Sequence, residues 1–372
     1  VTQPGADSAP SPRSQLDTPR RALLTLSRVW AWVFLVGLIL FFTVGTYITS
    51  DGDVNFLTLG NSQNILRNIV PVLLLGLGQT FVIISGGIDL SVGWVMGLAS
   101  VASAWGIVTF VDAGWGEPAA IAAGFAIGVI FATFIGLING TIIAKLKVPS
   151  FIVTLGMGFV ARGLALFISG GHVVGGLPKS LRAVGNESLI YVQSGEGGGI
   201  HFLEKPDVTG AALAGLDRVF QWPVIVAAIA FVIMAFLLAK MAFGRYTYSI
   251  GGNREASLRA GVPVDKVTIL VFALSGFMAG LAGILHTARF TAGSGVAGEP
   301  LLLQSIAAVI IGGVSMYGGR GNVVGTLIGA LIIAILVTGL IMLGVNQFLQ
   351  FIIIGVVVIV AVLIDQARDI VI

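Results

Sequence analysis

The sequence predicts an all-α, multi-pass membrane protein. Three observations carry that expectation. Hydrophobic residues make up 56% of the 372-residue chain and charged residues only 10%, whereas a water-soluble domain carries about a quarter charged residues. The apolar residues fall in runs that approach or exceed the roughly 20 residues a helix needs to cross a bilayer. Glycine is abundant, at 52 residues, as in bundles whose helix backbones approach closely in lipid.

Residues 1–27 are rich in Ser, Pro, Ala and Arg and lack an apolar period, which reads as a disordered tail. The first apolar run, Trp30–Tyr47, follows Arg20, Arg21 and Arg28. A basic start before an apolar stretch also fits a signal peptide. No small-residue cleavage site closes this one, so it reads as a retained first helix. Further runs lie at Ile65–Ile84, Leu90–Phe110, Ala119–Ala144, Ser150–Ile168, Pro223–Ala242, Val267–Leu285, Leu301–Tyr317, Val323–Leu343 and Phe348–Ile364. Together they give about ten spans in a single transmembrane domain covering residues 28–372.

Orientation follows from the bias of Lys and Arg to the cytoplasmic side. With the N-terminus inside and the spans alternating, the inner segments hold Lys145, Lys147, Lys240, Arg245, Arg254, Arg259, Lys266, Arg320 and Arg368. The outer segments collect Asp51, Asp53, Asp112, Glu117, Glu187, Glu196, Glu204, Asp207, Asp217 and Glu299. The expectation is N-in and C-in, with a long polar outer segment at 170–222 and a basic inner loop at 244–266. Net charge of +3, sorted by side, gives no reason to expect nucleic-acid binding.

Small-xxx-small spacing recurs in GWVMG (93–97), GFAIG (124–128), GLING (136–140), GFMAG (276–280) and GTLIG (325–329), and predicts close helix contacts. A faint internal echo relates VIISGGIDLSVGWVMG (82–97) to VIIGGVSMYGGRGNVVG (309–325). Repeats are common in transporters, but two unrelated Gly-rich connections read equally well.

The inner loop carries its own helix signal. Asn253 is a good N-cap, Glu255 suits a first turn, Glu255 and Arg259 stand four apart, and Gly261 with Pro263 forms a stop signal. Arg254–Ala260 therefore predicts about two turns of helix, marginal in isolation. A solvated connector is one reading; a surface on which a partner seats, helped by small Ala256 and Ala260, is the other.

Several blocks resemble the permease subunits of ATP-binding-cassette importers. EASLRAGVPVDKV (255–267) is similar to their cytoplasmic coupling segment, and GRYTYSIGGNREASLRAG (244–261) to the version in the ribose and xylose branch. FVIISGGIDLSVGWVMGLAS (81–100), KVPSFIVTLGM (147–157) and AAVIIGGVSMYGGRGNVVGTLIGA (307–330) resemble further blocks of that branch, in the same order. The resemblance implies a fold like the B12-importer permease. It implies a multi-pass protein of the bacterial cytoplasmic membrane that imports a monosaccharide and is not itself an enzyme. It implies partners too: a separate cytoplasmic ATPase holding ATP and Mg, an extracytoplasmic sugar-binding protein, and a second permease copy, with membrane lipid around them. Asn253, Arg254, Glu255, Ala256, Ser257, Leu258, Arg259, Ala260 and Gly261 would form the ATPase-coupling segment.

The chain has no G-x-x-x-x-G-K-[ST], so nucleotide phosphates are not cradled by that loop here. With no Cys and three scattered His, no metal site or catalytic pair is legible. Polar residues within apolar runs are costly and invite a functional reading: Gln79, Asp89, Asn139, Thr154, Arg162, Gln304 and Ser305 are candidate pathway residues. Asp89 also reads as an N-cap, and the others as interhelical hydrogen bonds. Lys179 and Arg182 could meet acids on a binding protein. Two other functions compete: the same importer type for a nucleoside, polyol or autoinducer-like furanose, and a carrier or channel working without an ATPase. No span carries the paired charges that ion coupling calls for.

Overall fold

The structure, a computed structural model, describes residues 13–52, 55–193, 198–203, 205–206 and 215–371. Helix α1 spans Arg13–Thr49, α2 Leu59–Ile84, α3 Val92–Asp112, α4 Glu117–Leu146 and α5 Ser150–Ser169. A short helix α6 (Leu181–Asn186) and strands β1 (Ser188–Gln193), β2 (Gly199–Phe202) and β3 (Leu216–Gln221) follow. The chain continues as α7 (Trp222–Lys240), α8 (Ala242–Gly252), α9 (Arg254–Arg259), α10 (Val264–Phe290), α11 (Glu299–Ile311), α12 (Val323–Met342) and α13 (Gln347–Val371). Residues 1–12 of the expected tail lie outside the described residues; from Arg13 the chain is helical, earlier than the boundary expected at residue 27.

Among the described residues, eight helices are long and apolar enough to cross a membrane: α1, α2, α3, α4, α5, α7, α10 and α12. The run expected at Leu301–Tyr317 supplies only α11, 13 residues that end at Ile311. Gly312 and Gly313 follow, and Gly313 has φ of 83°, a conformation glycine adopts freely and which stops the helix. Thirteen residues rise about 20 Å, short of the roughly 30 Å hydrocarbon core.

Burial sorts the bundle into an inner and an outer set. The inner set is α2, α3, α10 and α12, most of whose apolar windows are buried. Helices α1, α4, α5 and α7 keep one face on this core and expose the other, where Phe131, Phe134, Phe151, Phe159, Val232 and Phe236 point outward. In water such a surface would be an aggregation site; against lipid chains it is the compatible one.

The expected glycine seams are contacts. Gly136 faces the backbone of Phe272 and Ala273, and Gly276 faces Ala132 and Gly136. A Cβ at Gly140 would stand 2.7 Å from Ile269 Cα, and one at Gly280 3.0 Å from Val129 Cα. Helices α4 and α10 therefore meet backbone to backbone. GWVMG lies against the 295–298 connection, GFAIG against α3 and GTLIG against α11 and Gly312.

An entirely helical chain was expected, and here the structure differs. The 170–222 segment contains a three-stranded antiparallel sheet in the order β2-β1-β3, with Tyr191 opposite His201 on one side and Arg218 on the other. Tyr191 is buried, and its hydroxyl accepts from the Ser188 N–H at 3.1 Å. The sheet joins the bundle: Phe220 N–H donates to Gln63 of α2 at 3.3 Å, and the Asn186 amide to the Arg289 carbonyl at 2.9 Å. Helix α6 and the sheet mark one end of the bundle, α8 and α9 the other.

Candidate functional site

At the α9 end, local chemistry fixes each turn. The Asn253 side chain accepts from Ala256 N–H at 2.9 Å, as its cap reading requires. At the other terminus, Val262 N–H donates to Ser257 O at 3.0 Å and Gly261 N–H to Leu258 O at 3.1 Å, with Gly261 at φ 80°. This is a complete Schellman stop. Ser257 is the buried residue of α9; its hydroxyl lies 2.7 Å from that of Ser249 on α8. Arg254 reaches Thr268 at 3.4 Å and Asp265 at 4.0 Å, and Asp265 also pairs with Lys145 at the end of α4, at 2.9 Å. Glu255, Ala256, Leu258, Arg259, Ala260 and Gly261 are left exposed, with Leu258 at 66% and Glu255 paired to Arg259 at 3.7 Å. A short helix held from behind and bare in front is shaped as a contact surface.

Sequence reasoning expected a loop before α9. The structure places Ala242–Gly252 in helix α8 instead, whose glycines bring it close to its neighbours. Gly251 lies against the Ile84 carbonyl and against Gly319. Gly319 N–H donates to Ile84 O at 2.8 Å, and the Tyr248 hydroxyl donates to Gly321 O at 2.6 Å. Burial pushes the Tyr248 hydroxyl above its ordinary pKa. The two echoing sequence blocks thus meet here: each is a helix end, a Gly pair and an irregular stretch, and α8 lies across both.

Four candidate pathway residues converge on the first of those stretches, 85–91. Asp89 accepts from Ser91 N–H at 2.9 Å, from Ser91 Oγ at 2.6 Å and from Ser275 Oγ on α10 at 2.8 Å. It does not cap α3; Ser91 holds that position, without a side-chain cap bond. Gln79 on α2 donates to the Asp89 carbonyl. Asn139 on α4 donates to Ser91 Oγ at 3.0 Å. Thr154 on α5 accepts from Leu90 N–H at 2.9 Å, while Ser150 accepts from Ile88 N–H at 3.1 Å. Gln79, Asp89, Asn139 and Thr154 are all buried.

Ser275 lies eleven residues into α10, about 16 Å along its axis, so this junction sits about halfway through the bundle. Irregular backbone survives at such depth only when protein groups satisfy it, and these side chains supply the bonds. Ser91, Ser150 and Ser275 were not singled out from sequence, because a lone Ser in a helix carries no signal until its distant partner is known. A second irregular stretch, 291–298, runs along α3, where Ser294 N–H donates to Ser100 Oγ at 3.1 Å.

The remaining candidates lie elsewhere. Arg162 pairs with Glu299 at 3.1 Å, joining α5 to the start of α11. Ser305 is buried and donates to Leu302 O at 2.8 Å. Gln304 lines a separate cavity. Lys179, just before α6, and Arg182, within it, are exposed. Among the described residues, no group of three or more His, Cys, Asp or Glu could hold a metal ion.

Comparison with known proteins gives a concordant picture. A family model described as "Branched-chain amino acid transport system / permease component" matches residues 61–362. The ribose import permease protein RbsC of Bacillus subtilis is 38% identical over 322 residues, covering 87% of this chain and 89% of that protein. The xylose transport system permease protein XylH of Haemophilus influenzae is 36% identical over 363 residues, covering 88% and 93%. The fructose import permease protein FrcC of Rhizobium meliloti is 35% identical over 302 residues, covering 81% and 76%. No solved structure matches the chain.

Proposed function

The chain belongs to this family of transport-system permease components, and from that premise we propose that it forms the membrane pathway of an ATP-driven monosaccharide importer. The cargo reading is supported by the ribose, xylose and fructose permeases to which the chain is similar over most of its length. In this reading the protein has ten crossings in the B12-importer manner, N-in and C-in: the eight long apolar helices, α13, and α11 lengthened by the irregular stretches on either side of it. It binds no nucleotide; ATP and Mg are held by a cytoplasmic ATPase. A soluble sugar-binding protein docks at the sheet end, where Lys179 and Arg182 offer charge, and a second copy of the chain completes the pathway within the lipid.

The observation that carries the reading is the exposed, doubly capped helix α9. A helix of 6 residues has too few internal bonds to persist alone. This one is tied to α8 through Ser257 and to α10 and α4 through Arg254, Asp265 and Lys145. Force applied to its free face reaches the two glycine breaks through Gly251 and Gly319. Gln79, Asp89, Asn139 and Thr154 act as positioning groups that hold the first break between states.

The test is Glu255→Lys with Leu258→Asp in the full importer. Both sites are exposed, so the bundle folds as before. Sugar-stimulated ATP hydrolysis and uptake are expected to fall together by tenfold or more, the scale of about 1.4 kcal/mol of lost docking energy. Unchanged uptake by a correctly inserted variant would remove the coupling role.

A further inference from the structure

A cavity of about 420 Å³ opens among α2, α7 and α10–α13, toward the end that carries the sheet. Its polar lining is Arg67, Asn68, His286, Arg289, Gln304 and Gln347; the rest is apolar or proline, and no Asp or Glu contributes. Arg289 donates to Asn68 Oδ1 at 3.0 Å and to the Arg67 carbonyl at 3.5 Å, and its guanidinium lies 5.2 Å from the centre of the Phe290 ring. Arg67 Nε and His286 Nδ1 are buried with no hydrogen-bond partner. None of the ion pairs among the described residues includes Arg67 or Arg289. The acid nearest to Arg289 in sequence, Glu299, pairs with Arg162.

Two half-buried arginines lining one cavity with apolar walls, without a counter-charge among its lining residues, are costly to hold there. The lining is rich in donors and carries an unused one, so the missing group supplies acceptors and negative charge. Arginine forks suit tetrahedral and planar oxyanions, which they bind through paired N–H donors. A neutral sugar would offer hydroxyls but leave both charges uncompensated. We propose that this cavity binds a phosphate-type oxyanion between Arg67 and Arg289, from either a lipid headgroup or a soluble phosphate. The site is distinct from the Asp89 junction and does not depend on the identity of the cargo.

The full chain, purified and delipidated in an uncharged detergent, is titrated separately with inorganic phosphate and with phosphatidylglycerol. Thermal unfolding and native mass spectrometry report binding. At least one probe is expected to bind the parent chain and raise its unfolding temperature. Arg67→Gln and Arg289→Gln are each expected to weaken that binding about tenfold or more, and Lys205→Gln, an exposed control, to leave it unchanged. Arg67→Lys and Arg289→Lys keep the charge if the glutamine variants fail to fold, and are expected to weaken binding through loss of the fork. Stabilisation by phosphate assigns a soluble ligand; stabilisation by phosphatidylglycerol alone assigns a headgroup. A parent chain that binds neither probe overturns the proposal, as do arginine variants that bind as tightly as the parent.

Discussion

Replacing Asp89 by Ala tests the junction most sharply. The carboxylate accepts three hydrogen bonds, from Ser91 N–H, Ser91 Oγ and Ser275 Oγ, at 2.9, 2.6 and 2.8 Å. The side chain is buried, so water does not replace it without rearrangement. Each orphaned buried donor costs about 1–3 kcal/mol, and partial re-pairing of the two hydroxyls lowers the sum, giving about 3–6 kcal/mol in all. That is a large share of the 5–15 kcal/mol typical of a folded domain. Asp89→Asn keeps one oxygen for the Ser91 donors and can donate to Ser275 Oγ, so it loses about 1–2 kcal/mol. Denaturant titration in a uniform detergent, followed by tryptophan fluorescence, orders the variants as parent, Asn, Ala. Asp112→Ala, on an exposed residue, stays within about 0.5 kcal/mol of the parent. An Ala variant within about 1 kcal/mol of the parent would mean that the three bonds are dispensable and do not hold the junction.

Other outcomes follow from the same geometry. Gly140→Val drives a side chain against the Ile269 backbone, where even a Cβ stands 2.7 Å from Cα; it destabilises the α4–α10 seam by about 1–3 kcal/mol or more in the same titration. Asn253→Ala removes the cap of α9 at a local cost of about 1 kcal/mol, so amide exchange in 254–259 quickens about fivefold while global unfolding is unchanged. Arg162→Gln breaks a pair whose side chains are 40% and 34% exposed; solvent screening holds the loss below about 1 kcal/mol in a thermal melt.

Local signals were legible, and distant pairings were not. Asn253, Gly261 and Pro263 mark the ends of α9 because capping depends on residues within a few positions of one another. The five small-residue motifs locate helix contacts for a similar reason, although they do not name the partner. The sheet escaped notice because its strands are short, lie in a Gly-rich segment, and pair Tyr191 with residues as far as Arg218. Helix α8 was hidden by Gly244, Gly251 and Gly252, whose poor helix propensity is overridden by close packing on Leu238, Ile84 and Gly319. The α11 helix is shorter than the apolar run that marks it, because that run continues past the Gly312–Gly313 break. Gln79, Asp89, Asn139 and Thr154 were each recognisable as unusual, but their convergence rests on contacts among four helices and the α2–α3 connection. The Arg67–Arg289 cavity gave no sign at all, since the two residues lie far apart in sequence and near helix ends, where a basic residue is ordinary.

Coupling of this permease to an ATPase through α9 is the proposal on which the function rests. Affinity purification of the tagged full chain from its native membranes in a mild detergent, with mass spectrometry of the co-purifying proteins, tests it directly. An ATPase with a phosphate-binding loop is expected in stoichiometric amount with the parent chain, and is expected to be lost from Glu255→Lys/Leu258→Asp. Recovery of the parent chain alone, under conditions that preserve a known importer complex, would remove the coupling role of α9 and favour a carrier that works without ATP.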